Sequence, residues 1–284
     1  MQASNSTYLE KNVRNKISFQ IFLREEFKNI TKLKKSLNKM IREISIKHLA
    51  PTYYNRYTET LKTCNVKGII LNVGCKDFNL SREFMYKGNK VVNCDIYLKR
   101  KKLLKKVNFI FGNCERLPFK DNSFAAVVCL DVIEHIKNEK QVIKEIFRVL
   151  NYGGLLILST VNENFPFTYD PVNYLLKRFK LHLPIGVWGF GHKRIYNVKQ
   201  LEKLVEKNGF KIQKIKFLTH FLAGFFENYL SEILRPLSES RLERILSRLA
   251  KYFLPITKLV VHLDNKFFLN DAQGVEIMII AHKK

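Results

Sequence analysis

The stretch from Lys67 to Asp95, KGIILNVGCKDFNLSREFMYKGNKVVNCD, constrains the fold more than any other part of the chain. Ile69, Ile70, Leu71 and Val73 form an apolar run suited to a strand buried on both faces. Gly74 then permits a sharp turn into a helix whose free N–H groups favour an anion. A second apolar pair, Val91 and Val92, leads to Asp95, which lies 21 residues after Gly74. That is close to the spacing of about 20 at which an acidic side chain meets ribose hydroxyls in a doubly wound sheet. One glycine and one acid are common features, so the neighbouring segments decide which ligand the pattern serves.

Beyond Gly68 strand-like and helix-like segments alternate. Strands are predicted near 68–73, 90–95, 107–111, 124–130, 154–160, 211–217 and 275–281, with helices near 79–87, 138–150 and 198–208. This alternation implies an α/β fold, a doubly wound and mostly parallel seven-stranded sheet with right-handed crossovers. A helical extension precedes it. Leu23, Phe27, Ile30, Leu33, Leu37, Ile41 and Ile44 recur at helical spacing, with Arg24, Lys28, Lys32, Lys35, Lys39 and Arg42 on the other face. Such a helix packs on its own domain, closes as a lid, pairs with another chain or lies on an acidic surface. Pro51 ends it, and a shorter helical stretch runs to about Lys62. The chain thus divides into a basic helical extension, 1–66, and a catalytic-type domain, 67–284. Within that domain lie a loop-rich section at 161–197 and a helical insertion at 219–270 before the last strand. In the insertion Leu242, Ile245, Leu246, Leu249 and Phe253 share a face that Arg241, Arg244, Arg248 and Lys251 avoid.

Charge narrows the partners. Fifty Lys+Arg against 25 Asp+Glu give a net charge of +25, the footprint of a protein that meets nucleic acid, an anionic membrane surface or a phosphorylated ligand. The very basic connection LKRKKLLKK after Asp95 adds to it. A Lys-rich, Asn-rich and Ile-rich composition also arises from genome bias, with charge serving only solubility. The five cysteines include no C-x-x-C pair and are odd in number, which argues against a thiolate zinc site and a disulfide framework, so no metal is expected. They read as reduced, buried thiols of a cytoplasmic protein. MQASNSTYLEK lacks the apolar core of a signal peptide, and no run of about 18 apolar residues suggests a membrane span.

The segments NFIFGNCERLPFKDNSFAAVVCLDVIEHI and KEIFRVLNYGGLLILST carry a long ordered pattern: strand, G-[DN]-x-E-x-LPF, D-x-SF-x-x-V, D-V-x-EH, helix, R-V-L-x-x-GG, strand. On these residues the chain resembles the class I S-adenosylmethionine-dependent methyltransferases. It is similar in particular to the broad group that includes quinone biosynthesis enzymes and enzymes acting on lipids, sugars and small metabolites. The likeness covers Gly68 to Ile215, extends to GHKRIYNVKQLEKLVEKNGF, and implies a Rossmann-like methyltransferase fold with S-adenosylmethionine as cofactor. It also implies roles. Asn72, Gly74 and Lys76 would lie along the methionine part, Asp95 would accept from both ribose hydroxyls and Ile96 would cover the adenine. Asn113 and the Cys114 N–H would meet the adenine edge, and Leu130 and Asp131 would border the methyl group. Alternatives stand beside these: a strand-end acid is also found merely solvated, and an asparagine in the position of Asn113 closes turns.

The chain departs from the resemblance at its first turn. Where the group has acidic-x-G-x-G-x-G, this chain has Asn72, Gly74, Lys76 and Phe78, so only one of three glycines is kept. A non-catalytic relative with a degenerate turn is therefore an alternative to an enzyme. For chemistry, His192 in GFGH is the first candidate base for an alcohol acceptor, or else a loop-stabilising histidine, with Tyr169, Asp170 and Tyr196 as further candidates, while His135 either acts directly or opens the next helix. The sequence D-V-I-E-H in place of N-P-P-[FY] disfavours base N-methylation. Phe217, Phe221, Leu222, Phe225 and Phe226, followed by the basic helix, resemble an interfacial surface over anionic lipid. The leading expectation is a cytoplasmic, membrane-peripheral methyltransferase of a small apolar or lipid-linked acceptor, with an RNA methyltransferase as its rival.

Overall fold

The computed structural model describes residues 49–75, 78–97, 107–228, 243–268 and 272–284. The expected helix at 17–48, Lys76, the basic connection at 98–106 and the side chains of the basic stretch 241–251 lie outside the described residues.

Seven strands form one sheet: β1 (Ile69–Val73), β2 (Lys90–Asp95), β3 (Asn108–Phe111), β4 (Phe124–Leu130), β5 (Leu150–Val161), β6 (Phe210–Leu218) and β7 (Glu276–Lys283). Their spatial order is β3-β2-β1-β4-β5-β7-β6. Strands β1 to β5 run parallel, and β7 lies antiparallel between β5 and β6. The order reverses between β1 and β4, so the crevice beyond their carboxyl ends is where a doubly wound sheet takes its ligand.

Seven helices are described with the sheet. They are α1 (Pro51–Thr63), α2 (Asn79–Tyr86), α3 (Glu139–Val149), α4 (Pro171–Leu176) and α5 (Val198–Glu206), then α6 over residues 221–228 and α7 (Glu243–Phe268). On one face of the sheet α3 buries Val142, Ile143, Ile146 and Val149, and α5 buries Leu201 and Val205, against Leu71, Val127 and Ile279. Each such side chain contributes about 1.5–3 kcal/mol when fully buried. On the other face Leu80 and Phe84 of α2, with Tyr57 and Leu61 of α1, cover Ile70, Val128 and Ile157. Helix starts are capped by the residues that the sequence supplies. The Asn138 side chain accepts from the Gln141 N–H, and Asn197 forms a reciprocal capping box with Gln200.

The LPF and R-V-L segments have a structural purpose. Arg148 on α3 donates to the carbonyls of Phe119 (2.7 Å) and Leu117 (3.0 Å), while Glu145 accepts from the Leu117 N–H at 2.8 Å. Together they hold the loop before β4 in place. Two boundaries differ from the sequence reading. Strand β5 begins at Leu150 rather than 154, because Leu150 pairs with Phe124 across a register shift. Helix α1 belongs to the compact unit Ile44–Lys284, although a boundary at 66 sets it apart.

The insertion is fastened by buried polar groups. Asp264 of α7 accepts from the N–H groups of His220 (2.7 Å), Leu222 (2.9 Å) and Ala223 (3.0 Å), which caps the start of α6. Leu254, Thr257, Val261 and Asp264 form the inward stripe of α7, and the Thr257 hydroxyl donates to the Leu49 carbonyl at 2.9 Å. All five cysteines are free and buried.

Candidate active site

The first turn is built around Gly74. Its φ is +67°, and a Cβ there would stand 2.3 Å from Cγ2 of Val132, so neither the backbone angle nor the space admits a side chain. Beneath the turn, the Asn72 amide donates to Ser81 (2.9 Å) and to Asn93 (3.3 Å), and Asn93 in turn donates to the Asn108 carbonyl at 3.1 Å. This buried chain of amides replaces the acidic residue of the resembled pattern with a neutral network, which ties β1, α2, β2 and β3 together.

At the end of β2 the Asp95 carboxylate accepts from the Tyr97 N–H at 3.1 Å, forming a tight turn that presents Ile96, which is 72% exposed. Asn113 uses its side-chain oxygen on the Glu115 N–H (2.9 Å) and so closes a turn after β3. Cys114 is buried, and burial pushes its thiol up to about 11. Asp95, Ile96 and Asn113 thus stand at the open ends of β2 and β3.

A cavity of about 350 Å³ opens beside them, beyond the ends of β1 and β4. Of the residues singled out from sequence, it brings together Asn72, Gly74, Leu130, Asp131, His135 and His192; Asp95, Ile96, Asn113 and Cys114 lie outside its lining. Tyr169 lines it as well, half-buried, and desolvation raises its phenol well above the usual range. Asp170 and Tyr196 do not line it. Asp170 instead accepts from Asn173 and from the Val187 N–H (2.8 Å), holding the loop-rich section together.

The chemistry that sequence reasoning missed is charged and buried. Arg56 of α1 bridges Asp131, at the end of β4, and Glu276, at the start of β7. Burial opposes the charge on Arg56, but these two carboxylates raise its pKa above the usual guanidinium value, so it stays ionised. Burial raises the Glu276 carboxyl well above the usual range, with Arg56 acting against it. Glu134 is completely buried and accepts from the Thr160 hydroxyl at 3.0 Å. Burial, with the charge of Asp131 adding to it, pushes Glu134 up to about 8. Glu227 of α6 accepts from the Thr52 N–H at 2.9 Å, and burial raises it to about 7. A charged residue heading the apolar run Ile277–Ala281 was the available signal for Glu276. Arg56 and Glu227 sit in helices whose sequence carries no motif.

The residues fit a sulfonium cofactor on one observation in particular. Asp131 lines the same cavity as Gly74, and its buried Oδ1 lacks a hydrogen-bond partner among the described residues, so a cationic sulfonium would meet an unspent carboxylate oxygen there. Such a site takes a small molecule at its open end and leaves a polar chamber next to the place where the methyl group would lie.

Comparison with known proteins agrees with this layout. Residues 71–158 match the family described as "Methyltransferase domain". An uncharacterized protein of Methanocaldococcus jannaschii is 29% identical over 217 residues, spanning 75% of this chain and 78% of that protein. A probable S-adenosylmethionine-dependent methyltransferase of Mycolicibacterium smegmatis is 32% identical over 108 residues, 38% of this chain and 37% of that enzyme. The chain therefore matches well under half the length of that named relative. Among solved structures, a SAM-dependent methyltransferase of Thermotoga maritima, described as a possible histamine N-methyltransferase, superposes with a TM-score of 0.52. It is 17% identical, and the superposition covers 84% of this chain and 92% of that one.

Proposed function

We propose, for a chain that belongs to the class I S-adenosylmethionine-dependent methyltransferases, a small acceptor with a polar reactive end and an apolar or lipid-linked body. One observation carries this reading: a cavity with charged side chains set in a mostly apolar wall is joined to stretches of chain that expose their apolar side chains. The chamber holds Arg56, Asp131, Glu227 and Glu276, which suits a small polar end. Phe190 lines the chamber and is half exposed, and Leu175, Phe179, Leu181, Phe221 and Phe225, in stretches that adjoin lining residues in sequence, are at least half exposed. Helix α7 repeats the theme: Tyr252, Phe253, Ile256 and Leu259 are exposed opposite its buried stripe, with Lys258 among them. A helix with an apolar outer face and lysines beside it suits the interface of an anionic membrane. No described helix is long and apolar enough to cross one. The reading is therefore of a peripheral protein that meets its acceptor at a membrane surface; the five free, buried thiols support a cytoplasmic setting.

The cofactor supplies an electrophilic methyl group on sulfur, and the remaining work belongs to the chain. Gly74 and Asp95 hold the donor, while Leu130 and Asp131 border the place of transfer. The Arg56–Asp131–Glu276 bridge keeps the chamber wall fixed so that an acceptor atom lies in line, and positioning of this kind contributes most to such a transfer.

The test is the fate of label from methyl-labelled S-adenosylmethionine offered to the full chain with total membrane extract and with total RNA. Label in the organic extract is the expected result. Label in RNA alone would reverse the reading in favour of an RNA methyltransferase, and an absence of cofactor binding by calorimetry would leave a non-catalytic module.

A further inference from the structure

Where the turn Ile133–His135 meets the segment at Gly191–His192, three ligand-type side chains converge. Glu134, His135 and His192 each offer one ligand atom, and these atoms all lie within 4.8 Å of one another. The two imidazole rings are 4.8 Å apart between centroids. The convergence is held by the backbone: the Lys193 N–H donates to the Glu134 carbonyl at 2.8 Å, and Arg194 donates to the Lys137 carbonyl at 2.9 Å and pairs with Glu139. The site is thus clamped from both sides before any ligand arrives.

Two details point to a cation. Nδ1 of His135 stands 3.3 Å from the Gly191 carbonyl, which can only accept, so in the neutral ring the proton sits on Nδ1 and the Nε2 lone pair is left for a metal. Glu134 is wholly buried, and while one of its oxygens accepts from Thr160, the other, Oε1, has no hydrogen-bond partner among the described residues. A buried carboxylate oxygen without a donor is costly, and a bound cation removes that cost.

From this geometry we infer that Glu134, His135 and His192 bind one divalent cation of the class that accepts imidazole and carboxylate together, Zn²⁺ foremost. Two imidazoles and one carboxylate form a three-ligand set that leaves a fourth tetrahedral position open. At metal–ligand bonds of about 2.0–2.2 Å the ligand atoms stand about 3.4 Å apart, so side-chain rotation must draw the three together by about an ångström. His135 and His192 both line the cavity, which puts the open position on the acceptor's side. The cysteine pattern that argued against zinc has no bearing on this site, since no thiolate is involved. That the ion holds an oxygen of the acceptor rests on the methyl-transfer reading above; that the ion binds does not.

The experiment is calorimetric titration of the metal-stripped, untagged full chain with Zn²⁺, and with Co²⁺ followed by its visible absorption. The expected result is one ion per chain, with the intense visible bands of low-coordinate Co²⁺. Affinity should be retained in His262→Ala, whose side chain is exposed on α7. It should fall by roughly a hundredfold or more in His135→Ala and in His192→Ala, beyond the tenfold to hundredfold that loss of a merely supporting partner costs. Glu134→Gln keeps the shape of the site and should weaken it too. Absence of stoichiometric Zn²⁺ binding would overturn the inference, as would unchanged binding by a folded double variant of both histidines. S-adenosylmethionine titrated into the same preparations separates the two readings: a chain that binds zinc but no cofactor keeps this site and loses the methyl-transfer reading.

Discussion

The cleft has two sides that are made differently. At the ends of β1, β2 and β3 stand short turns, each from contiguous sequence, of which Gly74 lines the cavity while Asp95 and Asn113 lie beyond its lining. At the ends of β4, β5 and β7 the cleft is formed by side chains drawn from positions 56, 131, 134, 227 and 276, of which Glu134, Glu227 and Glu276 are buried and Arg56 and Asp131 partly so. The first side is open and depends on backbone geometry; the second is closed and depends on charge placed in a poorly solvated chamber. A generic donor needs only the first. On the proposed function, selection of an acceptor falls to the second, where the buried polar groups must find their counterparts within the protein or the ligand.

If that division is right, perturbing the two sides gives different signatures. The largest effect is expected on the closed side. Arg56→Leu removes the partner shared by Asp131 and Glu276 and should destabilise the fold by about 1–3 kcal/mol, read by denaturant unfolding. A loss below about 1 kcal/mol would mean that the bridge is solvated and the chamber open. On the open side Asp95→Ala should leave stability nearly unchanged and weaken S-adenosylmethionine by about tenfold to a hundredfold in calorimetry, as expected for a charge-assisted hydrogen bond worth about 1.5–3 kcal/mol. Equal loss of stability and affinity would erase the contrast.

The smallest effect concerns pH. Glu227 is raised by burial from 4.5 to about 7, so between these values the folded state holds a proton that the unfolded state has released. Stability from this group therefore falls as pH rises from about 4.5 to 7 and is level above it. Glu227→Gln should flatten that slope and raise Tm at pH 8 by a few degrees, roughly 2–4 °C per kcal/mol for a domain of this size. An unchanged slope would place Glu227 in contact with water.

The same contrast explains what could be read from sequence. The central strands β1, β4, β5 and β7 are legible because burial on both faces leaves a nearly continuous apolar signature, whereas the edge strands β3 and β6 are largely exposed and are placed by the alternation around them. The LPF and R-V-L segments stand out because Arg148, Glu145 and Leu117 must meet at fixed spacing. Gly74 and Asp95 are likewise local. Arg56 and Glu227 leave no such trace, and Glu276 only a charge at the head of an apolar run, since their meaning arises when α1 is brought to α6 and β7 across 160 or more residues. Asn72 was placed near the cofactor by analogy, and its amide turns out to be spent on the network with Ser81 and Asn93 beneath the turn, a role that the resembled pattern gave no reason to expect.

The position of β7 between β5 and β6 bears on how the chain acquires its chamber. Ser159 pairs with Met278, and Lys216 pairs with the same Met278 from the other side, so β5 and β6 meet only through a strand that follows both in sequence. During synthesis β6 emerges without a neighbour to pair with, and its ladder closes only when β7 is inserted. Closing a contact at such separation is slow, and exposed strand edges are sticky in the interval. Glu276 enters the chamber in that same insertion. The side of the cleft built by β1, β2 and β3 is thus able to form while the side that needs β7 still waits, and the order of assembly follows from the order of the strands.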